Sequence, residues 1–281
     1  MGETANLPNI SNSNENNGFM TFTLNNTNVS IVNAIRRTIL SDIPIVVLRS
    51  FPYDKCNIDI HKNSTRFNNE IIKQRLSCIP VHITDLSTDL SNYQVELTAQ
   101  NKTTNTVYVT TNNIKIKQLI NSSYLSDIDV NTIFPPNSLT KHYIDIIRLR
   151  PMIDDKNFEE ISLTAKFDIS NAKENGAFNV VSLCFYENTI DPEKQKVALG
   201  EYLADKKDLA PGEIESVTKN WYMLEGKRQF IENSFDFNIK SIGIYKNKDI
   251  ITVACDIINE KLSLILDKSD KQELPIETSK S

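Results

Sequence analysis

Glycine occurs only seven times in these 281 residues, and the glycine-dependent phosphate cradles, G-x-G-x-x-G and the P-loop, are missing. A G-x-S-x-G elbow and an H-E-x-x-H helix are absent too, which leaves small-molecule enzyme chemistry without a motif to start from. The four cysteines, Cys56, Cys78, Cys184 and Cys255, are scattered with no C-x-x-C pair. Cys78 and His82 have a spacing zinc could use, but two ligands do not complete a tetrahedral site. Reduced core thiols are the default, and no metal or cofactor is expected. The acids Asp127-Ile128-Asp129 and Asp154-Asp155 are read as solvated loop carboxylates.

Long apolar runs are also lacking: none approaches the roughly 20 residues that span a bilayer. The start, Met1-Gly2-Glu3-Thr4-Ala5-Asn6, has neither a basic and apolar leader nor the Ser/Thr of a myristoylation pattern, so an intracellular chain without a lipid is expected. Sequons such as Asn63-Ser64-Thr65 then reflect only abundant asparagine. A net charge of -5 and a pI near 5.4 argue against a broad cationic track for nucleic acid. The 40% hydrophobic and 24% charged fractions are those of a globular protein with a substantial core.

What is present is a change of period near the start. Residues 1–17 are mostly Asn, Ser and Glu and are expected to form a flexible tail. Met20, Phe22 and Leu24 alternate with threonines, as in a strand with one buried face. Val29, Val32, Ile35 and Ile39 then recur at helical spacing, with Thr27 or Asn28 available as N-cap and Pro44 beyond the end. On the helical wheel Arg36 falls inside the apolar arc and Arg37 outside it. Two readings of Arg36 stay open: a stem that covers the core edge with its guanidinium in water, or a charged anchor at a subunit interface.

Further on, Glu70 to Leu76 reads as a short helix stopped by Pro80. Tyr93 to Ala99, Val107 to Val109, Tyr143 to Leu149, Ile161 to Ile169 and Phe178 to Tyr186 read as strands, separated by Asn-rich and Pro135-Pro136 turns. A polar, Lys-rich passage covers about residues 187–219. Phe235, Phe237 and Ile239 form another strand. Ile250, Val253, Ala254, Ile257, Ile258, Lys261, Leu262, Ile265 and Leu266 then trace a wide apolar stripe on a long helix, packed in its own core or partly against a partner helix. A charged tail follows from Asp267.

Five segments in order carry a resemblance. They are Phe22-Thr23-Leu24; Asn33-Ala34-Ile35-Arg36-Arg37-Thr38-Ile39-Leu40; Asn63-Ser64-Thr65 to Glu70; Arg75-Leu76-Ser77-Cys78-Ile79-Pro80; and Phe235-Asp236-Phe237-Asn238-Ile239-Lys240-Ser241-Ile242-Gly243. The set resembles the alpha-like assembly subunit of multisubunit DNA-directed RNA polymerases: the bacterial alpha N-terminal domain, its archaeal counterpart and the third-largest subunit of eukaryotic RNA polymerase II. The match spans roughly residues 19–268.

The resemblance implies an α+β fold: a discontinuous dimerisation domain, an antiparallel sheet with two packed helices, from residues 18–49 and 179–268. It would enclose a β-rich insert domain at 50–178, with flexible tails at 1–17 and 269–281. It implies a noncatalytic scaffold in transcription that pairs with a smaller alpha-like subunit and docks onto the large catalytic subunits. Nucleic acid would be met only through the complex, and no membrane is involved. Partner contacts are implied at Val32, Ile35, Arg36, Arg37, Ile39, Glu70, Arg75, Ile257 and Leu262. An alternative is an alpha-like interaction scaffold outside transcription. The chain departs from its relatives in lacking the cysteines of the insert's zinc or iron-sulfur site, and a His-Ala-Lys-Trp-like segment is represented only by Asn175-Gly176-Ala177-Phe178. With the Asn, Ile and Lys bias, these losses suggest a large DNA virus. The implied location is the nucleus, or a cytoplasmic viral factory and virion.

Overall fold

A computed structural model describes residues 7–154, 157–204, 206 and 211–271. Along the chain run β1 (Asn9–Asn16), β2 (Phe19–Asn25), α1 (Val29–Ser41), β3 (Ile45–Leu48), β4 (Ile58–Asn63), α2 (Asn69–Ser77), β5 (Tyr93–Asn101), β6 (Val107–Thr110), β7 (Lys115–Gln118), α3 (Asp127–Ile133) and β8 (Asp145–Leu149). Then come β9 (Glu159–Ser170), β10 (Val181–Ile190), α4 (Pro192–Ala204), α5 (Pro211–Met223), β11 (Phe230–Ser241) and α6 (Asn247–Lys271). Contacts divide the chain into two units. The first holds Met1–Ile39, Val181–Ser241 and Ala254–Ser281; the second holds Leu40–Val180 and Ile242–Val253.

The sheet of the first unit is antiparallel, in the order β1-β2-β11-β10, so early and late strands lie side by side. The period-2 alternation explains its two faces. Across β2, β11 and the edge strand β10, Leu24 faces Phe235, Phe22 faces Phe237 with Tyr186 beyond, and Met20 faces Ile239 with Cys184 beyond. All but Tyr186 in these rows are buried. The opposite face is polar and joined by hydrogen bonds: Thr23 and Thr189 both donate to Asp236 Oδ1, at 2.7 and 3.1 Å, and Ser234 donates to Asn25.

The expected tail at residues 1–17 is corrected by β1, which pairs with β2 from Asn9 to Asn16. Asn17 and Gly18, both at positive φ, make the two-residue turn between them, the conformation an Asn-Gly pair favours in a hairpin. A mostly exposed edge strand shows no apolar alternation, so periodicity missed it. Residues 1–6 lie outside the described residues. Through the Lys-rich passage at 187–219, β10 continues to Ile190, and α4 and α5 follow. Asp191 caps α4 by accepting from the backbone N–H groups of Glu193 and Lys194, with Pro192 at the first helical position. Helix α6 also extends to Lys271, into the segment expected as a tail; residues 272–281 lie outside the described residues.

In the second unit β9 is the central strand. β5 runs along one edge, with β7 beyond it; β4 and then β3 pair with the other edge. Ile161, Leu163, Ala165 and Phe167 turn inward against Leu48, Ile58, Ile72, Leu76, Val95 and Leu97, while Ile169, expected on the same face, is exposed. Strands β6 and β8 form a separate ladder. Because β3 pairs with β9, residues 40–49 join this unit, as do 242–253; the resemblance implies the dimerisation domain for both. Buried Arg49 follows β3 and donates to Asp168, Glu174 and the carbonyl of Ile169. Asp127 and Asp129 belong to the first turn of α3 rather than to a loop, where Asp129 meets the Ser126 cap. Asp155 lies outside the described residues.

Candidate functional site

Helix α1 begins where Asn28 Oδ1 accepts from the Ile31 N–H at 3.0 Å. Val32 and Ile39 are fully buried and Ile35 is half-buried, so three of the proposed contact residues are covered by the chain itself. Val29, placed in the buried arc by the wheel, is 54% exposed, and Ile31 is 50% exposed. A helix leaves its core at the first turn, and the wheel carries no information about where that happens. Arg36 is half-buried and donates from Nε and Nη2 to Asn33 Oδ1, at 3.2 and 2.9 Å, one turn back. Its charge also reaches Cys184 of β10. Burial raises the Cys184 thiol to about 11 even though Arg36 opposes the shift. Arg37 is exposed.

Along α6 the apolar stripe changes environment without changing chemistry. Ile250 and Ala254 are fully buried, Val253, Ile257 and Ile258 are half-buried, and Leu262, Ile265 and Leu266 are 53%, 63% and 63% exposed. Leu264 adds a fourth uncovered side chain. Scattered exposed leucines are ordinary, but four within five residues on the run of a continuous stripe form a patch. At 25 residues α6 has length to spare beyond its buried turns.

In α2 the Asn68 side chain caps the helix at the Ile71 N–H, and Glu70 is exposed in the first turn, where a carboxylate suits the helix dipole. Arg75 reaches β8. Its Nε and Nη2 donate to the carbonyls of Ile146 and Asp145 in β8, both at 2.7 Å, so two of its donors serve the chain itself. A cavity of about 430 Å3, unnoticed in the sequence, lies between Phe51, Tyr53, Glu70, Lys73, Cys78 and Asn175. The Phe51-Pro52-Tyr53 triplet was its available signal: two aromatics beside a proline, both strongly exposed.

Cys78 is exposed, and His82 donates from Nδ1 to the carbonyl of Ile133, with burial lowering its imidazole from the usual range. Among the described residues, no three His, Cys, Asp or Glu side chains cluster to hold a metal, and no helix is long and apolar enough to cross a membrane.

A sheet assembled from both ends of an α+β chain, with a helix whose apolar stripe runs uncovered, is the frame of an alpha-like module. The family model described as the RNA polymerase Rpb3/Rpb11 dimerisation domain matches residues 21–262. The chain belongs to that family. It is also similar to DNA-directed RNA polymerase subunit Rpo3 of Methanosphaera stadtmanae, 24% identical over 264 residues, a span covering 87% of this chain and 92% of the relative.

Proposed function

We propose that this chain is a noncatalytic assembly subunit of a DNA-dependent RNA polymerase, which pairs with a smaller alpha-like subunit and carries the pair onto the large catalytic subunits. The observation that carries the reading is the α6 stripe, buried at Ile250 and Ala254 and open to solvent from Leu262 to Leu266. Burying such side chains is worth about 1.5–3 kcal/mol each, so a helix from a second subunit has something to gain there. Family membership and similarity to Rpo3 support a polymerase as the setting.

In this reading Ile257 and Leu262 lie at the heterodimer seam, joined by the exposed Val29 and Ile31 at the start of α1. Val32, Ile35 and Ile39 hold α1 in place, and Arg36 and Arg37 face a catalytic subunit. Glu70, exposed on α2, is assigned to the same larger partner. Arg75 keeps its place in that contact only through the part of its guanidinium that β8 leaves open. The dimerisation domain comprises the sheet with α1 and the outer part of α6, and the second unit is the insert. Nucleotidyl transfer is left to the large subunits. The compartment follows the polymerase: the nucleus in a cell, or a cytoplasmic factory and virion for a virus, as the compositional bias and missing cysteines suggest.

Tagged chain, purified from its native cell under gentle salt, is expected to bring down a smaller alpha-like subunit together with the two largest polymerase subunits. Recovery of the chain with partners that include no polymerase subunit sinks the reading.

A further inference from the structure

Three arginines converge on one small cleft of the second unit. Arg66, Phe67, Arg75, Asp145, Ile147 and Arg148 line a depression of about 180 Å3. Arg66 and Arg75 share one aromatic ring, their guanidinium carbons 5.9 and 6.0 Å from the centroid of Phe67. Arg148 lies over Tyr108 at 4.9 Å. Arg75 is thus held by the carbonyls of β8 and Arg148 by its ring, while Arg66 lies at the outer reach of Phe67.

Anions contribute little to holding them. Arg148 approaches Asp145 Oδ2 only at 3.5 Å, the outer limit of a hydrogen bond, and Arg66 has no ion pair among the described residues. Three guanidinium groups against one carboxylate leave local positive charge in a chain whose net charge is -5. Like charges repel, so three guanidinium groups gathered at one cleft around an anchored Arg75, with weak neutralisation, are arranged to receive an anion.

We propose that this cleft binds a carboxylate side chain from an acidic segment of a partner protein, gripped by Arg66 and Arg148 beside the fixed Arg75. A planar guanidinium presents paired N–H donors that match a carboxylate fork, and the cleft is of side-chain size. Nucleic acid fits less well: three cations in one spot cannot follow a phosphate backbone, and an acidic chain offers no track to continue it. All six lining residues belong to the second unit; Arg75 is shared with the large-subunit contact proposed above, but the peptide assay needs no polymerase subunit, so failure of this site and failure of that reading are separate results.

The test uses the full chain and a fluorescein-labelled tetraglutamate peptide, read by fluorescence anisotropy at low salt. Tetraglutamine, inorganic phosphate and single-stranded oligonucleotide serve as competitors. Arg66→Gln with Arg148→Gln is the variant, because both side chains are exposed and Arg75, which has a structural duty, stays intact. Unchanged thermal unfolding confirms its fold. Saturable peptide binding is expected, weakened about tenfold in the variant, suppressed by salt and untouched by tetraglutamine. Absence of peptide binding, equal binding by the folded variant, or a preference for phosphate or oligonucleotide over the peptide overturns the proposal.

Discussion

Phe22 and Phe237 stack with ring centroids 5.1 Å apart and planes 1° from parallel, as facing residues of β2 and β11. This cross-strand pair ties the start of the chain to its end and lies at the centre of the apolar face, with Phe237 fully buried. Phe237→Ala is expected to cost about 3–5 kcal/mol, through lost burial and the cavity left behind. Urea unfolding measures it, and a loss below about 1 kcal/mol would mean the sheet does not depend on this pair.

The α6 stripe separates fold from assembly. Leu262→Asp changes a side chain that the isolated chain leaves exposed, so its stability should move by no more than about 0.5 kcal/mol. Ile257→Asp, at a half-buried position, should cost more. Together they should abolish pairing with the smaller subunit while the second unit keeps its fold. Size-exclusion chromatography of co-expressed chains reads the first and hydrogen exchange the second; undiminished pairing contradicts the assignment.

Arg36 and Arg37 make a different prediction. Replacing Arg36 by Ala removes two hydrogen bonds to Asn33 and should cost about 1 kcal/mol of stability, while Arg37→Glu, on an exposed side chain, should cost little. Both variants are expected to retain the smaller partner and lose the large catalytic subunits. Quantitative mass spectrometry of the purified complex would show that loss, and full recovery of the large subunits would remove the arginines from the docking surface.

Cys184 gives an alkaline signature. Its folded thiol is raised from 9.0 to about 11 by burial, against the opposing effect of Arg36. A raised acid is neutral in the folded chain while the unfolded chain ionises first, so stability is complete below about pH 9 and falls between about 9 and 11. The fall should be about 2–3 kcal/mol. Other groups titrate there too, so the measure is the difference between wild type and Cys184→Ala in urea midpoint against pH. Equal slopes would refute the buried thiol. At neutral pH, alkylation should reach exposed Cys78 well before Cys184.

Helices α1, α2 and α6 and strands β2, β5, β9 and β11 were legible because each is written in local terms: a period, a cap, a stop. Strand β1 was not, since an exposed Asn-rich edge offers no alternation and gains its order from pairing with β2. Helix α4 was obscured by weak amphipathicity, although Asp191-Pro192-Glu193 is a start signal that could have been read. In the candidate surfaces, the contrast between Val29 and Val32 was invisible, because burial depends on where the helix meets its sheet. Arg75 shows the same limit: nothing in its sequence neighbours points to the carbonyls of β8, about seventy residues later.

By itself the sequence determined the periods, the caps and the ordered segments of an alpha-like chain, because these depend on neighbours within a turn or two. Only the tertiary structure decided that β3 belongs to the second unit, that Arg75 serves β8 while Arg66 and Arg148 stand beside it, and that the α6 stripe passes from core into solvent at Leu262. Those outcomes rest on long-range pairing and on which surfaces meet, and a residue's chemistry alone does not specify what comes to lie against it.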